Sequence, residues 1–367
     1  MRKIAFIVNG SPEGAMGRRA ESFAAHLRHR FDIRVFYRSI NKVRATVEFA
    51  QALLNWDPAA AYVFDFGYSG ILAATAFKVL RRRPLVADTG DAIYALAKST
   101  GFRGPIGACL TAVLEEFSLR AADRIVVRGT YHREILARRG VMADLVQDGV
   151  SVQQFASPHE NNLRKAWNAE GSLTIGFVGS SIWSERLGIC SGWELVELLH
   201  LLRGVAVIGV VIGDGTGIQA LIRRGKELGV SHLLRLVGRI PYDELPRALR
   251  SLDICLSTQS DDIVGRVRTT GKLPLYMAAG RYVLASRVGE AARVLPEEML
   301  VPYQGVVDRA YPARLAERVF QIVAQPERLM SGRKNVDLAR HHFEYSVLAK
   351  KVGSLLDDVL TAKTSRC

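Results

Sequence analysis

The sequence predicts an α/β protein built from two doubly wound parallel sheets. Three observations carry the prediction. Short apolar runs alternate with longer segments of helical period, the pattern of strands buried on both faces. The alternation pauses once, near the middle of the chain, and restarts. Its 367 residues also exceed the roughly 250–300 at which a single core stops growing, so two domains are expected.

In the first half the expected strands are Ile4–Val8, Ile33–Tyr37, Ala61–Phe64, Leu85–Ala87 and Arg124–Val127. Between them Arg18–His29, Arg44–Leu54, Gly70–Leu80 and Leu110–Ala121 have helical period. The polar stretch Gln154–Gly171, with Pro158 and His159, breaks the pattern. Leu173–Val178 then opens a second series, continued by Ala206–Ile212, Leu234–Val237, Ile254–Ser257 and Tyr282–Ala285. The intervening helices are Trp193–Leu202, Gly217–Leu228, Tyr242–Leu249 and Lys272–Ala279. Beyond Pro312 the chain reads as helical to its end, with Pro326 dividing Ala313–Ala324 from a last stretch through Phe343–Leu360. A closing helix that long carries more apolar face than one small sheet needs, so it is expected to cross back to the N-terminal domain. The expected domains are 1–155, a linker at 156–171, 172–340, and a crossing helix and tail at 341–367.

A hydrophobic fraction of 49% with 23% charged residues is that of a globular chain and excludes a disordered or collagenous one. The longest apolar or glycine run, Gly204 to Gly213, is about half of the ~20 residues that span a bilayer. The opening MRKIAFIVNG lacks a signal-peptide pattern, so a cytoplasmic protein is expected. Cys109, Cys190, Cys255 and Cys367 lie far apart, without disulfide or zinc spacing; the first three read as core thiols. No metal site is expected.

Each half opens with a strand and a glycine-rich loop: Gly10 to Arg19, containing Gly14, Gly17 and Arg18, and then Gly179-Ser180-Ser181. Backbone N–H groups in such a loop can approach an anion, with the following helix dipole adding positive potential. A plain strand-to-helix turn is the other reading. Gly213-Asp214-Gly215-Thr216-Gly217 follows the second strand of its half, not the first, which argues against a nicotinamide-binding fingerprint.

The densest polar cluster is Ser257 to Lys272, with Asp261, Asp262, Arg266, Arg268, Thr269, Thr270 and Gly271 between an apolar strand and an apolar helix. Two arginines and a lysine beside hydroxyls at the carboxyl end of a strand suit a diphosphate, which Arg can grip bidentately and Lys as a point charge. The alternative is a solvated charged loop.

Four stretches of the second half are distinctive: Gly213-Asp-Gly215; Leu236 to Pro246; Asp253-Ile-Cys-Leu-Ser; and Lys272 to Glu290, with Tyr276-Met-Ala-Ala-Gly280. The first half adds Ala121-Ala-Asp123-Arg-Ile-Val-Val and Asp148-Gly149-Val150-Ser. In this order they resemble the GT-B, family 4 type retaining glycosyltransferases (glycosyl transferases group 1) over nearly the whole chain. The resemblance implies two Rossmann-like domains facing a cleft, and metal-independent sugar transfer from a nucleotide-diphosphate sugar to a hydroxyl of a glycan or lipid-linked acceptor. No cofactor is implied beyond that donor substrate, and no protein nucleophile. Gly179 and Ser180 would form the phosphate loop, Arg186 would replace the lysine usual there, and Asp214, Gly238 and Arg239 would line the donor, Arg239 by the nucleobase. Arg266, Arg268 and Lys272 would hold the diphosphate with Thr269, Thr270 and Gly271, while Asp91 would face the sugar or acceptor; its other reading is a helix N-cap. Gly14, Gly17 and Arg18 would lie on the acceptor side. The two glutamates usual in the family are replaced here by Val267 and Leu275, leaving Asp261, Asp262 or Thr269 to substitute or the donor to be held differently. A catalytically silent relative that binds a sugar nucleotide or glycan as a scaffold is the alternative those replacements suggest.

The net charge is +14, and residues 1–44 hold 10 Lys+Arg against 3 Asp+Glu, a surplus of 7. With Arg81-Arg82-Arg83, Lys98 and Arg103, this predicts attraction to an anionic membrane surface, where each cation contributes roughly 1 kcal/mol. The Gly101–Leu114 segment is apolar enough to lie against lipid. An Arg-rich proteome is the plain alternative. Nucleic acid is not expected as a partner, since no recognised module accompanies the charge.

Overall fold

The computed structural model describes residues 1–39, 41–100, 104–157 and 163–364. Arg103, the start of the Gly101–Leu114 segment, Pro158, His159 and Cys367 lie outside the described residues. The chain divides into two compact units: Met1–Gly149 with Val267–Thr269 and Phe343–Cys367, and Val150–Arg266 with Thr270–His342.

The first unit holds six parallel strands, β1 (Arg2–Val8), β2 (Phe31–Tyr37), β3 (Ala60–Phe64), β4 (Leu85–Thr89), β5 (Arg124–Val127) and β6 (Ala143–Leu145). Their order is β2-β1-β3-β4-β5-β6, so the winding reverses between β1 and β3. Alternation along the strands separates two cores. Phe6, Val8 and Phe64 pack with Phe23 and Leu27 of the helix Ala15–Leu27. Ile7 and Val63 pack on the other side with Phe49, Phe77 and Leu119. The last helix, Tyr345–Thr364, belongs to the first core: Leu348, Val352, Leu355, Leu356 and Val359 form one stripe against it. Burying each such side chain is worth about 1.5–3 kcal/mol, which fixes this helix to the unit. Gly149 is pressed against Tyr345, whose ring would lie 2.3 Å from an added Cβ.

The second unit holds β7 (Leu173–Val178), β8 (Val207–Ile212), β9 (Leu234–Gly238), β10 (Ile254–Ser257), β11 (Tyr282–Ser286) and β12 (Leu300–Val301). All its pairings are parallel, in the order β12-β11-β10-β7-β8-β9, with the reversal between β7 and β10. The apolar run ending at Gly213 is β8, buried throughout. Both units share one device for setting strand register. Asp123 accepts from the Leu85 amide at 2.8 Å, and Asp253 from the Thr174 amide at 2.8 Å, so an aspartate before one strand pins the start of its neighbour.

The strands and helices expected from periodicity are present with ends shifted by a few residues. Periodicity missed β6 and β12, three and two residues long, and the helices Ile93–Thr100 and Thr130–Arg138. The two strands hold too few residues to show a period. Cys190 and Cys255 are buried as expected; Cys109 is instead exposed, on the outer side of the helix Gly104–Ala121. That helix is inverted. Its hydroxyls turn inward, Thr111 and Ser118 each donating to the carbonyl four residues back at 2.7 Å, while Ile106, Leu110, Val113 and Phe117 face outward.

Candidate functional site: the carboxyl edges of the two sheets

In doubly wound sheets, ligands bind outside the carboxyl ends of the strands where the winding reverses. The polar residues of each unit gather at that edge.

In the second unit, the loops after β7, β8 and β9 are zipped together by their backbones. Gly179 N donates to Ile212 O at 3.0 Å, Ser181 N to Asp214 O at 2.8 Å, Gly217 N to Ser181 O at 2.8 Å, and Gly213 N to Gly238 O at 2.8 Å. Glycine is required here: a Cβ on Gly213 or Gly215 would lie 2.1 Å from the carbonyl oxygen of Gly179 or Ser181, at φ of +145° and +136°. The sequence expectation for this loop therefore changes. The Gly179 and Ser181 amides face the neighbouring loop rather than an anion, and no helix follows directly. The chain passes first through a hairpin pairing Ser184 with Ile189, carrying Arg186 exposed near its tip, and reaches a helix only at Trp193. Ser180, Asp214 and Arg239 are exposed; Gly238 has φ +77° with open space beside it.

Lys272 opens the short helix Lys272–Ala278, with Gly271 as its cap and Thr270 O accepting from Leu273 N at 3.1 Å. The Lys272 ammonium lies 4.3 Å from the centre of the Phe177 ring, on β7 at the point of reversal. Burial pushes the Glu194 carboxyl up, against the pull of its own backbone amide and of Lys272. Arg266 Nε donates to Asp261 at 2.6 Å, so this cation has a carboxylate of its own. Asp262 accepts from Ser260 at 2.8 Å and from the Gly265 amide at 2.9 Å, closing the loop. Asp261 and Asp262, expected as stand-ins for the missing glutamates, are thus engaged in shaping their own loop. Val267 is fully buried and Leu275 half-buried.

Val267–Thr269 clusters with the first unit. Arg268 Nε donates to Asp91 at 2.8 Å, and Thr269 Oγ1 to Asp148 at 2.7 Å. The cations of the polar loop do not form one bare basic patch, because Arg266 and Arg268 each meet an aspartate. Asp91 does not take the leading amide of the helix Ile93–Thr100; Glu115 accepts the Tyr94 N–H at 2.7 Å. In the first glycine loop Gly14 is the N-cap of the helix Ala15–Leu27, and an added Cβ on Gly17 would lie 2.3 Å from Pro12 O. Gly17 therefore serves the loop's own turn, and Arg18 is half-buried beyond it.

The feature that sequence reasoning missed is a buried ionic network at the edge of the first sheet. Asp88, at the end of β4, has no exposed surface and accepts from Arg19 Nε, Arg128 Nε and Tyr62 OH, each at 3.0 Å. Arg19 also donates to Val146 O at 2.7 Å, and Arg128 reaches Asp65. Burial alone would raise the Asp88 pKa, but the two guanidinium groups outweigh it and hold it below the usual carboxylate value. Asp65 has φ +67°, a left-handed conformation that Asp tolerates better than most residues. Asn9 clamps it there, donating to Asp65 O at 2.9 Å and accepting from Gly70 N at 2.9 Å. Arg19 had been counted in the N-terminal surface charge; only 1% of its side chain is exposed. The signal that could have found this network is weak: a charged residue at the carboxyl end of each of three apolar strands, Asp65, Asp88 and Arg128.

A cavity of about 450 Å³ lies at the opposite, amino edge of this sheet, lined by Lys78, Arg82, Asp123 and Arg124 among others. It is away from the edge where such sheets bind ligands.

Two six-stranded parallel sheets, each wound in both directions and flanked by helices, define the GT-B fold, and the chain resembles the group 1 glycosyltransferases. It is 25% identical over 264 residues to a GDP-mannose-dependent alpha-mannosyltransferase of Mycobacterium tuberculosis, covering 71% of this chain and 62% of that one. It is 27% identical over 237 residues to a 2-deoxystreptamine glucosyltransferase of Streptomyces kanamyceticus, covering 59% and 55%. The chain thus matches somewhat over half the length of these curated relatives. Among solved structures, Anabaena HepE in complex with UDP-glucose superposes with a TM-score of 0.76 at 14% identity, covering 98% of this chain and all of that one. No protein-family model matches the chain.

Proposed function

We propose that the chain is a retaining, metal-independent glycosyltransferase that moves a sugar from a nucleotide-diphosphate sugar to a hydroxyl of a glycan or lipid-linked acceptor. The observation that carries this reading is the coincidence of Lys272 with the point of reversal in the second sheet, in a chain whose curated relatives are named as sugar transferases. The solved structure of HepE with UDP-glucose supports a nucleotide sugar as donor. In this reading Lys272, with Arg186, Arg266 and Ser180, stabilises the leaving diphosphate as its charge develops, the role a metal ion fills elsewhere. Arg239 and Gly238 border the nucleobase, with Asp214, Gly179, Thr270 and Gly271 completing the donor site. Arg268 and Thr269 belong to the same donor loop, anchored through Asp91 and Asp148. Asp91 stands at the edge of the first sheet, where the acceptor is engaged, with Gly14, Gly17 and Arg18 on the same side.

Thermal unfolding with UDP, GDP, ADP or dTDP, against pyrophosphate, tests the donor. A ligand at 100 times its Kd stabilises by about 2.7 kcal/mol, so one nucleotide should stand out. If all four match pyrophosphate, the enzyme reading gives way to a silent scaffold, which Val267 and Leu275 would favour.

The acceptor carries a second part of the proposal: peripheral binding at the inner face of an anionic membrane by a cytoplasmic protein. No described helix is long and apolar enough to cross a membrane. The support is the inverted helix Gly104–Ala121, whose outward Ile106, Leu110, Val113 and Phe117 fall at i, i+4, i+7 and i+11. Arg81 and Arg82 lie exposed at the end of the helix Tyr68–Arg81 in the same unit. Co-sedimentation should favour anionic over neutral vesicles and weaken in Leu110→Glu; equal binding to both vesicles refutes it.

A further inference from the structure

The polar loop between β10 and the helix Lys272–Ala278 belongs to the second unit except at three residues. Val267, Arg268 and Thr269 cluster with the first unit. Each of the three is held there. Val267 is fully buried. Arg268 Nε donates to Asp91 at 2.8 Å and Thr269 Oγ1 to Asp148 at 2.7 Å, so two consecutive side chains reach carboxylates that follow different strands, β4 and β6.

Both carboxylates are suited to hold a chain in place. The Asp148 side chain is 13% exposed and lies 3.8 Å from Arg19 and from Arg128, the two buried guanidinium groups of the network around Asp88. Its own position is thereby fixed from two sides, and a hydroxyl donating to a carboxylate is roughly twice as strong a bond as one between neutral groups. Asp91 and Arg268 form an ion pair in which each side chain is about one-third exposed.

The loop is also tied on either side of these three residues. Upstream, the Arg266 amide donates to Asp262 O at 2.9 Å, its Nε donates to Asp261 at 2.6 Å, and Gly289 is so close that an added Cβ would lie 2.9 Å from Arg266 O. Downstream, only Thr270 and Gly271 separate Thr269 from Lys272, and the turn from Thr270 O to Leu273 N closes at 3.1 Å. Neither Val267 nor Leu275, which stand where glutamates are usual in the glycosyltransferases that this chain resembles, can hydrogen-bond a ligand through its side chain.

We propose that Arg268 and Thr269 are positioning residues: through Asp91 and Asp148 they set the loop that carries Lys272 before any donor arrives. The loop is held by carboxylates of the first unit in place of glutamates of its own. Arg268 does not grip the diphosphate, because its cation is used on Asp91. A loop set in advance spares the cost of ordering it when the donor binds. The inference rests on the reading of the chain as a glycosyltransferase, and it separates the residue that meets the diphosphate, Lys272, from the residues that place it.

The test replaces each anchor in the full chain and reads two quantities: hydrogen–deuterium exchange over residues 263–275 without ligand, and thermal unfolding with UDP, GDP, ADP or dTDP against pyrophosphate. Thr269→Val, which removes only the hydroxyl, should speed exchange in that segment roughly tenfold or more, the effect of losing a hydrogen bond to a charged partner, and Thr269→Ser should keep the slow exchange. Asp91→Asn should speed exchange likewise and weaken stabilisation by nucleotide. Were Arg268 a diphosphate ligand, freeing it from Asp91 would strengthen nucleotide binding instead. The reversed pair, Asp91→Arg with Arg268→Asp, should recover both readouts, whereas a diphosphate ligand at 268 would be lost in it as fully as in Arg268→Asp alone. Unchanged exchange in Thr269→Val, tighter nucleotide binding in Asp91→Asn, or a reversed pair no better than Arg268→Asp overturns the proposal. Exchange that responds as expected in a chain that no nucleotide stabilises beyond pyrophosphate leaves the anchors standing and refutes the transferase reading alone.

Discussion

Asp88→Asn isolates the electrostatics of the first unit. The side chain keeps its shape and one carbonyl oxygen, but it loses the charge that Arg19 and Arg128 both face at 3.0 Å. Hydrogen bonds to charged groups are worth about 1.5–3 kcal/mol each, and breaking a buried ion pair by removing one partner costs about 3–5 kcal/mol. Neither arginine can move to water, at 1% and 7% side-chain exposure, so the upper part of that range applies. Urea unfolding of the first unit should therefore lose about 4–5 kcal/mol. A double-mutant cycle with Arg19→Met should show coupling, the pair costing less than the sum of the two singles, because the second change removes one stranded cation. The pH dependence has a definite sign. The folded Asp88 pKa is depressed, so its contribution is complete above the unfolded value of about 3.9 and is lost as pH falls below that toward the folded value. A loss under about 1 kcal/mol, with no coupling to Arg19, would mean that Arg19 is held by the carbonyls of Val146 and Gln147, and Arg128 by Asp65, instead.

Three other outcomes are expected. Lys272→Ala should lower turnover by about 10²–10³-fold while leaving the circular dichroism spectrum unchanged; an unchanged kcat places the diphosphate elsewhere. Val267→Glu, which places a glutamate where the glycosyltransferases that this chain resembles usually carry one, should destabilise the protein by several kcal/mol in urea unfolding rather than improve donor binding, because position 267 has no exposed surface. His132, with its pKa lowered to about 4 by burial, favours the folded state fully above its unfolded value of about 6.5 and progressively less as pH falls toward 4, so His132→Gln should flatten the stability profile in that window.

The alternation of apolar runs with helical segments, and its restart at Leu173, were legible because buried parallel strands and amphipathic helices have different periods, each visible within a dozen residues. The glycines after β7 and β8 were legible as special positions too, since few other roles put so many in a row after an apolar strand. Their purpose was not. Whether a glycine amide faces an anion or the next loop depends on strands β8 and β9 brought alongside, and the Gly179 amide meets Ile212 O only after the sheet has formed. The same holds for charge. Arg18 and Arg19 are adjacent and alike in sequence, yet the helix turns one inward to Asp88, 69 residues away, and leaves the other half-buried at its rim. A sequence determines local period and total charge, because both are properties of neighbouring residues. Which charges are sheltered from water and which are paired are set by contacts between distant segments, and only the folded chain decides them.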